Sequence, residues 1–141
     1  MSGSARIFAA SPYSKPWLLS CVTPRPRRRL FFESMRQLSA SQLKEWLGDP
    51  QRSKPVLLDV REPWEFETCR IAGSQSMPMR GIPARYNELR RDADIVMICH
   101  HGARSFQVGM FLEQQGFTSV INLHGGVAAW ARDVDPTMPT Y

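Results

Sequence analysis

The run Ile95-Val96-Met97-Ile98 is too short for a stable helix and has no polar position, so it reads as a strand apolar on both faces. Such a strand has to be covered above and below, which calls for a sheet between two helical layers. The rest of the chain supplies the matching alternation. Ser39-Ala40-Ser41 leads into Gln42–Leu47, with Leu43, Trp46 and Leu47 at i, i+3 and i+4, a capped helix stopping at Gly48. Pro55–Val60 is a second buried strand, Glu62–Glu67 a helical turn with Pro63 at its first position, and Ser74–Met79 a third strand. Gly81–Leu89 carries Ile82, Tyr86 and Leu89 on one helical face. Phe106–Gln115 is a helix ending at Gly116, Ser119–Leu123 a strand, and Val127–Arg132 a last helix bearing Trp130. The pattern predicts an α/β domain over 35–141 with a parallel sheet and Ile95–Ile98 at its centre.

In open α/β sheets, ligands collect outside the carboxyl ends of the strands. The residues at those ends are Asp59 and Arg61, Met79 and Arg80, Cys99 with its loop, and His124-Gly125-Gly126. Cys99 stands out. It is followed by His100, His101, Gly102, Ala103, Arg104 and Ser105, between a strand and a helix. A sharp strand-to-helix turn leaves backbone N–H groups free to converge on an anion above the sulfur, and Arg104 adds a cation that favours the thiolate. Gly102 is expected to take a positive φ so that these amides point inward.

The net charge of +5 suggests nucleic acid until it is divided along the chain. Residues 1–34 hold six basic side chains and one acidic, whereas 35–141 hold twelve of each, so the domain has no electrostatic reason to bind nucleic acid. Up to Phe32 there is no acidic residue, and Ser, Pro and Arg abound. We read 1–34 as a disordered basic extension, either a transit-like leader or a segment preceding a true start at Met35. The apolar stretch Trp17–Val22 is too short to span a membrane, and Leu18–Cys21 only faintly matches a lipoprotein cleavage site. Cys21, Cys69 and Cys99 form no CxxC pair, and three histidines offer no metal spacing, so neither a metal nor a cofactor is expected. An odd cysteine count with one activated thiol fits a reducing compartment. The expected location is cytoplasmic, or mitochondrial if 1–34 is a transit peptide.

Leu58-Asp59-Val60-Arg61-Glu62 with Trp64-Glu65-Phe66, then Cys99–Ser105, then Leu123–Val127 with Trp130, together resemble the single-domain rhodanese sulfurtransferases over about Ser39–Trp130. The resemblance implies a three-layer α/β/α sandwich around a mostly parallel five-stranded sheet. It implies that Cys99 takes sulfane sulfur from a small anionic donor such as thiosulfate. The persulfide then passes its outer sulfur to cyanide, to a thiol, or to a sulfur-relay protein. In this reading Cys99 is catalytic, and His100, His101, Gly102, Ala103, Arg104 and Ser105 bind the donor. Arg104 is the best grip for a sulfonate because its planar fork matches paired oxygens; otherwise it braces the loop against Asp59 or Glu62. His100 and His101 either orient the donor or are solvated loop residues. Asp59 and Arg61 match the family's strand-end Asp-x-Arg and are expected to brace the loop. Cys69-Arg70 departs from the family's usual Gly-His. Cys69 is expected to be an ordinary half-buried residue, the alternative being a second, resolving thiol.

The same fold resembles that of the cell-cycle dual-specificity phosphatases, whose loop holds one residue more between Cys and Arg. The shorter Cys99–Arg104 loop suits phosphate or arsenate poorly. A persulfide carrier, or a partner-docking module without turnover of its own, uses the same loop and stays open as an alternative.

Overall fold

A computed structural model describes residues 35–141; the expected extension 1–34 lies outside the described residues. Five strands, β1 (Arg36–Leu38), β2 (Val56–Asp59), β3 (Gln75–Ser76), β4 (Ile95–Ile98) and β5 (Val120–Leu123), form one sheet in the order β1-β5-β4-β2-β3. Every pairing is parallel, so the sheet is wholly rather than mostly parallel. β4 is central, and all four of its residues have no exposed surface. Its register sets Asp59 of β2 beside Ile98, bringing the end of β2 alongside Cys99.

Side-chain alternation along the strands sorts the core into two layers. Leu57, Val96, Ile98, Ile121 and Leu123 pack with Leu43 and Trp46 of helix α1 (Ala40–Gly48) and with Val127 and Trp130 of helix α5 (Gly126–Asp133). Leu58, Met97 and Val120 pack on the other face with Ile82 of helix α3 (Ile82–Arg85) and with Val108 and Leu112 of helix α4 (Ala103–Gln114). The result is the three-layer sandwich. α1 begins where Ser39 and Gln42 cap each other reciprocally. Helix α2 (Pro63–Thr68) starts with Pro63 at its first turn, and Glu65 reaches back to accept from the Glu62 N–H at 2.8 Å.

Three expectations need correction. The strand expected over Ser74–Met79 is only Gln75–Ser76, because Met79–Gly81 turns into a 3-10 helix, although the Met77 and Met79 N–H groups still donate to the Asp59 and Val60 carbonyls at 2.8 and 2.9 Å. The helix expected over Gly81–Leu89 is a four-residue α3 followed by a 3-10 turn at Tyr86–Glu88, although Ile82, Tyr86 and Leu89 do pack on the core. β1 was not anticipated. Its residues are polar or half-exposed, since an edge strand needs only one buried side.

Candidate active site

Cys99 leaves β4 at its carboxyl end, and its thiol is 1% exposed. The Gly102 N–H donates to Sγ at 2.9 Å, and the Ser105 hydroxyl lies 3.2 Å from the same atom. The Gly102 N–H is a partner for negative charge on the sulfur. Gly102 has φ +106°, as expected, and caps α4 in the left-handed region. The connection is therefore shorter than the sequence implied. Helix α4 begins at Ala103, which puts Ala103, Arg104 and Ser105 on its first turn instead of in a loop.

A second helix terminus holds the loop from the opposite side. The Val127 N–H donates to the Cys99 carbonyl at 2.9 Å, and the Ala128 N–H to the His100 carbonyl at 3.1 Å. This approach explains Gly126. A Cβ built there would lie 2.2 Å from the Cys99 carbonyl oxygen, and the residue has φ +58°. His124 is exposed, and its N–H donates to the Leu38 carbonyl of β1 at 2.8 Å.

Ser105, expected among the donor-binding residues, is fully buried beside the Cys99 sulfur. Its Oγ sits 2.5 Å from Asn122 Oδ1, and Asn122 Nδ2 donates to the Gly102 carbonyl at 3.2 Å and to Gln37 Oε1 at 2.9 Å. Asn122 escaped the sequence reading. Its signal was a lone amide inside the apolar run Val120–Leu123, since a buried amide in a strand has to find partners.

Arg104 makes a two-pronged pair with Glu65, Nη1 to Oε2 and Nη2 to Oε1, each at 2.7 Å. The bracing partner is neither Asp59 nor Glu62. Glu65, at the buried first turn of α2, projects toward α4, whereas the Asp59 carboxylate is already taken. Hydrogen bonding by Arg104 holds the Glu65 carboxyl well below its ordinary value, at about 2, against the opposing effect of burial. Arg104 rises in turn, first because of Glu65. Among the described residues two of its five N–H groups find a partner, and the side chain remains 36% exposed.

Asp59 and Arg61 form a fully buried ion pair at 2.7 Å. The guanidinium also donates to the Cys69 carbonyl at 2.6 Å and to the Tyr141 hydroxyl at 2.9 Å, and Cys69 Sγ lies 3.7 Å from Nη1. Burial opposes this charge, but the bonds to Asp59 and Tyr141 prevail and raise its pKa. Cys69 packs in the core cluster on the α1/α5 face, while Cys99 packs in the cluster on the other face. That placement disfavours the resolving-thiol alternative. A pocket of about 150 Å³ beside the loop is lined by Cys69, His100, Val127, Ala131, Pro139 and Tyr141.

His100 is half-buried, with its ring 4.0 Å from that of exposed His101 and 4.5 Å from that of Tyr141. Burial, then the neighbouring His101, push its imidazole below the ordinary value, and its buried Nδ1 has no hydrogen-bond partner among the described residues. Arg80, also at a strand end, is exposed. Among the described residues no three metal-ligating side chains cluster, and no helix is long and apolar enough to cross a membrane.

A model of the rhodanese-like domain matches residues 39–133. The chain belongs to the rhodanese-like family. A sulfurtransferase from Allochromatium vinosum is 38% identical over 98 residues, covering 70% of this chain and 90% of that protein. A putative sulfur carrier protein, YrkF of Bacillus subtilis, is 39% identical over 74 residues, covering 52% of this chain and 40% of that one. The chain spans less than two thirds of some other curated relatives, 61% of one and 38% of another. The crystal structure of a rhodanese-like domain protein from Staphylococcus aureus superposes with a TM-score of 0.63 at 28% identity, covering 68% of this chain and 91% of that one. The rhodanese-like fold thus places Cys99 and its short loop at the carboxyl edge of the sheet, where the sequence located them.

Proposed function

We propose that this rhodanese-like protein transfers sulfane sulfur through a persulfide on Cys99. The Cys99 thiolate attacks the outer sulfur of a donor such as thiosulfate. A Cys99–sulfur bond forms, the sulfur–sulfur bond of the donor breaks, and sulfite leaves with the electron pair. A nucleophile, cyanide or a thiolate, then takes the outer sulfur and returns Cys99 to the thiolate. The donor is a dianion meeting an anion, so the encounter needs oriented donors and a nearby cation. The observation that carries the reading is the Gly102 N–H on Cys99 Sγ at 2.9 Å, two residues before Arg104, which has three N–H groups without a partner among the described residues. The four residues between Cys99 and Arg104 fit one added sulfur better than a phosphoryl group.

The relatives keep a second reading in view. The sulfurtransferase from A. vinosum supports transfer, and the putative sulfur carrier YrkF supports delivery to a relay protein by the same persulfide. The compartment we propose is a reducing one such as the cytoplasm, on the cysteine usage. Intact-mass measurement after exposure of reduced protein to thiosulfate tests the chemistry. One added sulfur, mapped to Cys99 and absent from Cys99→Ser, is expected; sulfur on Cys69 or Cys21 overturns the assignment. Release of thiocyanate on adding cyanide supports turnover, and persulfide discharged only to a protein supports the carrier.

A further inference from the structure

Two arginine–carboxylate pairs flank the Cys99 loop, Asp59–Arg61 below its start and Glu65–Arg104 beyond its end. One hydroxyl joins them. Tyr141 Oη accepts from Arg61 Nη1 at 2.9 Å and donates to Glu65 Oε1 at 2.9 Å, the oxygen that also accepts from Arg104 Nη2. With Glu62 N–H and Arg104 Nη1 on Oε2, both oxygens of Glu65 are fully engaged. The Tyr141 ring lies 4.5 Å from that of His100 and meets Trp64 edge-on at 5.2 Å. A single side chain therefore touches the loop at His100 and reaches Arg104 through Glu65.

We propose that Tyr141 is a positioning residue for sulfur transfer: its hydroxyl fixes the Glu65 carboxylate and thereby the direction of the Arg104 N–H groups that face the donor. The inference rests on the sulfurtransferase reading. Without the hydroxyl, Glu65 Oε1 has Arg104 alone, and the carboxylate can rotate and draw the guanidinium with it. Arg61 loses a buried acceptor at the same time. Tyr141 contributes no group to the reacting atoms, so its effect has to appear through Arg104.

Tyr141→Phe keeps the ring and, at a position 42% exposed, keeps the fold. In thiosulfate–cyanide kinetics it should raise the KM for thiosulfate about three- to tenfold with kcat unchanged. A merely structural role would lower kcat by reducing the folded fraction and spare KM. In Arg104→Ala protein the same substitution should have no further effect on KM, since the residue through which it acts is gone. An unchanged KM in Tyr141→Phe, or an equal rise in both backgrounds, overturns the inference. Calorimetry of thiosulfate binding to Cys99→Ser protein, with and without Tyr141→Phe, separates the two claims. If no sulfur is transferred but Tyr141→Phe weakens binding, the transfer reading fails, and what stands is that Tyr141 positions Arg104 for an anion. Equal affinities overturn the positioning role, and absence of any binding overturns both.

Discussion

In the proposed function Arg104 serves two purposes, because a guanidinium has more donors than one carboxylate can take. Two N–H groups go to Glu65, and the proposal gives the other three, which have no partner among the described residues, to a sulfonate. Arg104→Ala should therefore raise the thiosulfate KM by roughly 10- to 150-fold, the loss expected for charge-assisted hydrogen bonds. Arg104→Lys should restore only part, having charge without the fork. Because Glu65 is left buried without its cation, holding only Tyr141 and the Glu62 N–H, Arg104→Ala should also cost about 1–3 kcal/mol of stability in chemical denaturation. The pH dependence follows from the Glu65 carboxyl, held at about 2 against an ordinary 4.5. A depressed carboxyl stabilises the fold above its unfolded value and loses that contribution as pH falls through the folded one. The native protein should shed this contribution between about pH 4.5 and 2, whereas Arg104→Ala should show little of it. Identical acid profiles would remove the pair from the stability of the site. Of the residues in this pair, Arg104 was legible from its spacing to Cys99. Glu65 was quoted in the family motif without a role, because nothing local in a six-residue helix announces a partner 39 positions away.

The elements that hold the loop are two helix starts, α4 through Gly102 and α5 through Val127 and Ala128. Gly126 is the contact point. A methyl group there would lie 2.2 Å from the Cys99 carbonyl and 2.5 Å from that of His100, both backbone atoms that cannot swing aside. Gly126→Ala should lower stability by about 2 kcal/mol or more, from the positive φ and the clash together. It should also slow thiosulfate loading of Cys99, since the carbonyls that must move belong to the loop. Normal loading at native stability would show that the loop does not depend on this packing. The strand–loop–helix course around Cys99 was readable because β4 is uniformly apolar and Gly102 breaks it from α4. The role of α5 was not, as Gly125-Gly126 acquires meaning only when β4 and β5 are known to be neighbours.

At the scale of the whole domain, the sheet was legible wherever a strand is buried on both faces and illegible at its edges. β3 is cut short where the chain turns into the 3-10 helix at Met79, and β1 offers only Arg36-Gln37-Leu38, whose pairing with β5 is a long-range fact. Yet β1 reaches the site, since Gln37 accepts from Asn122, which carries the Gly102 carbonyl. Met35, immediately before it, is 4% exposed and sits so close to Gly109 of α4 that a Cβ there would be 2.4 Å from its Cε. The motifs that carry the family resemblance all lie beyond Met35. A chain begun at Met35 is therefore expected to keep the thermal midpoint of the full chain to within a few degrees and transfer sulfur at the same rate. A chain begun at Ser39 loses the Met35 side chain and the strand that covers β5. Burial of a Met side chain alone is worth about 2–5 kcal/mol, so its midpoint should fall by about 10 °C or more. Its thiosulfate KM should rise as well, because Asn122 no longer has Gln37 to orient it. A large drop already at the Met35 start would instead assign residues 1–34 a packing role on the domain.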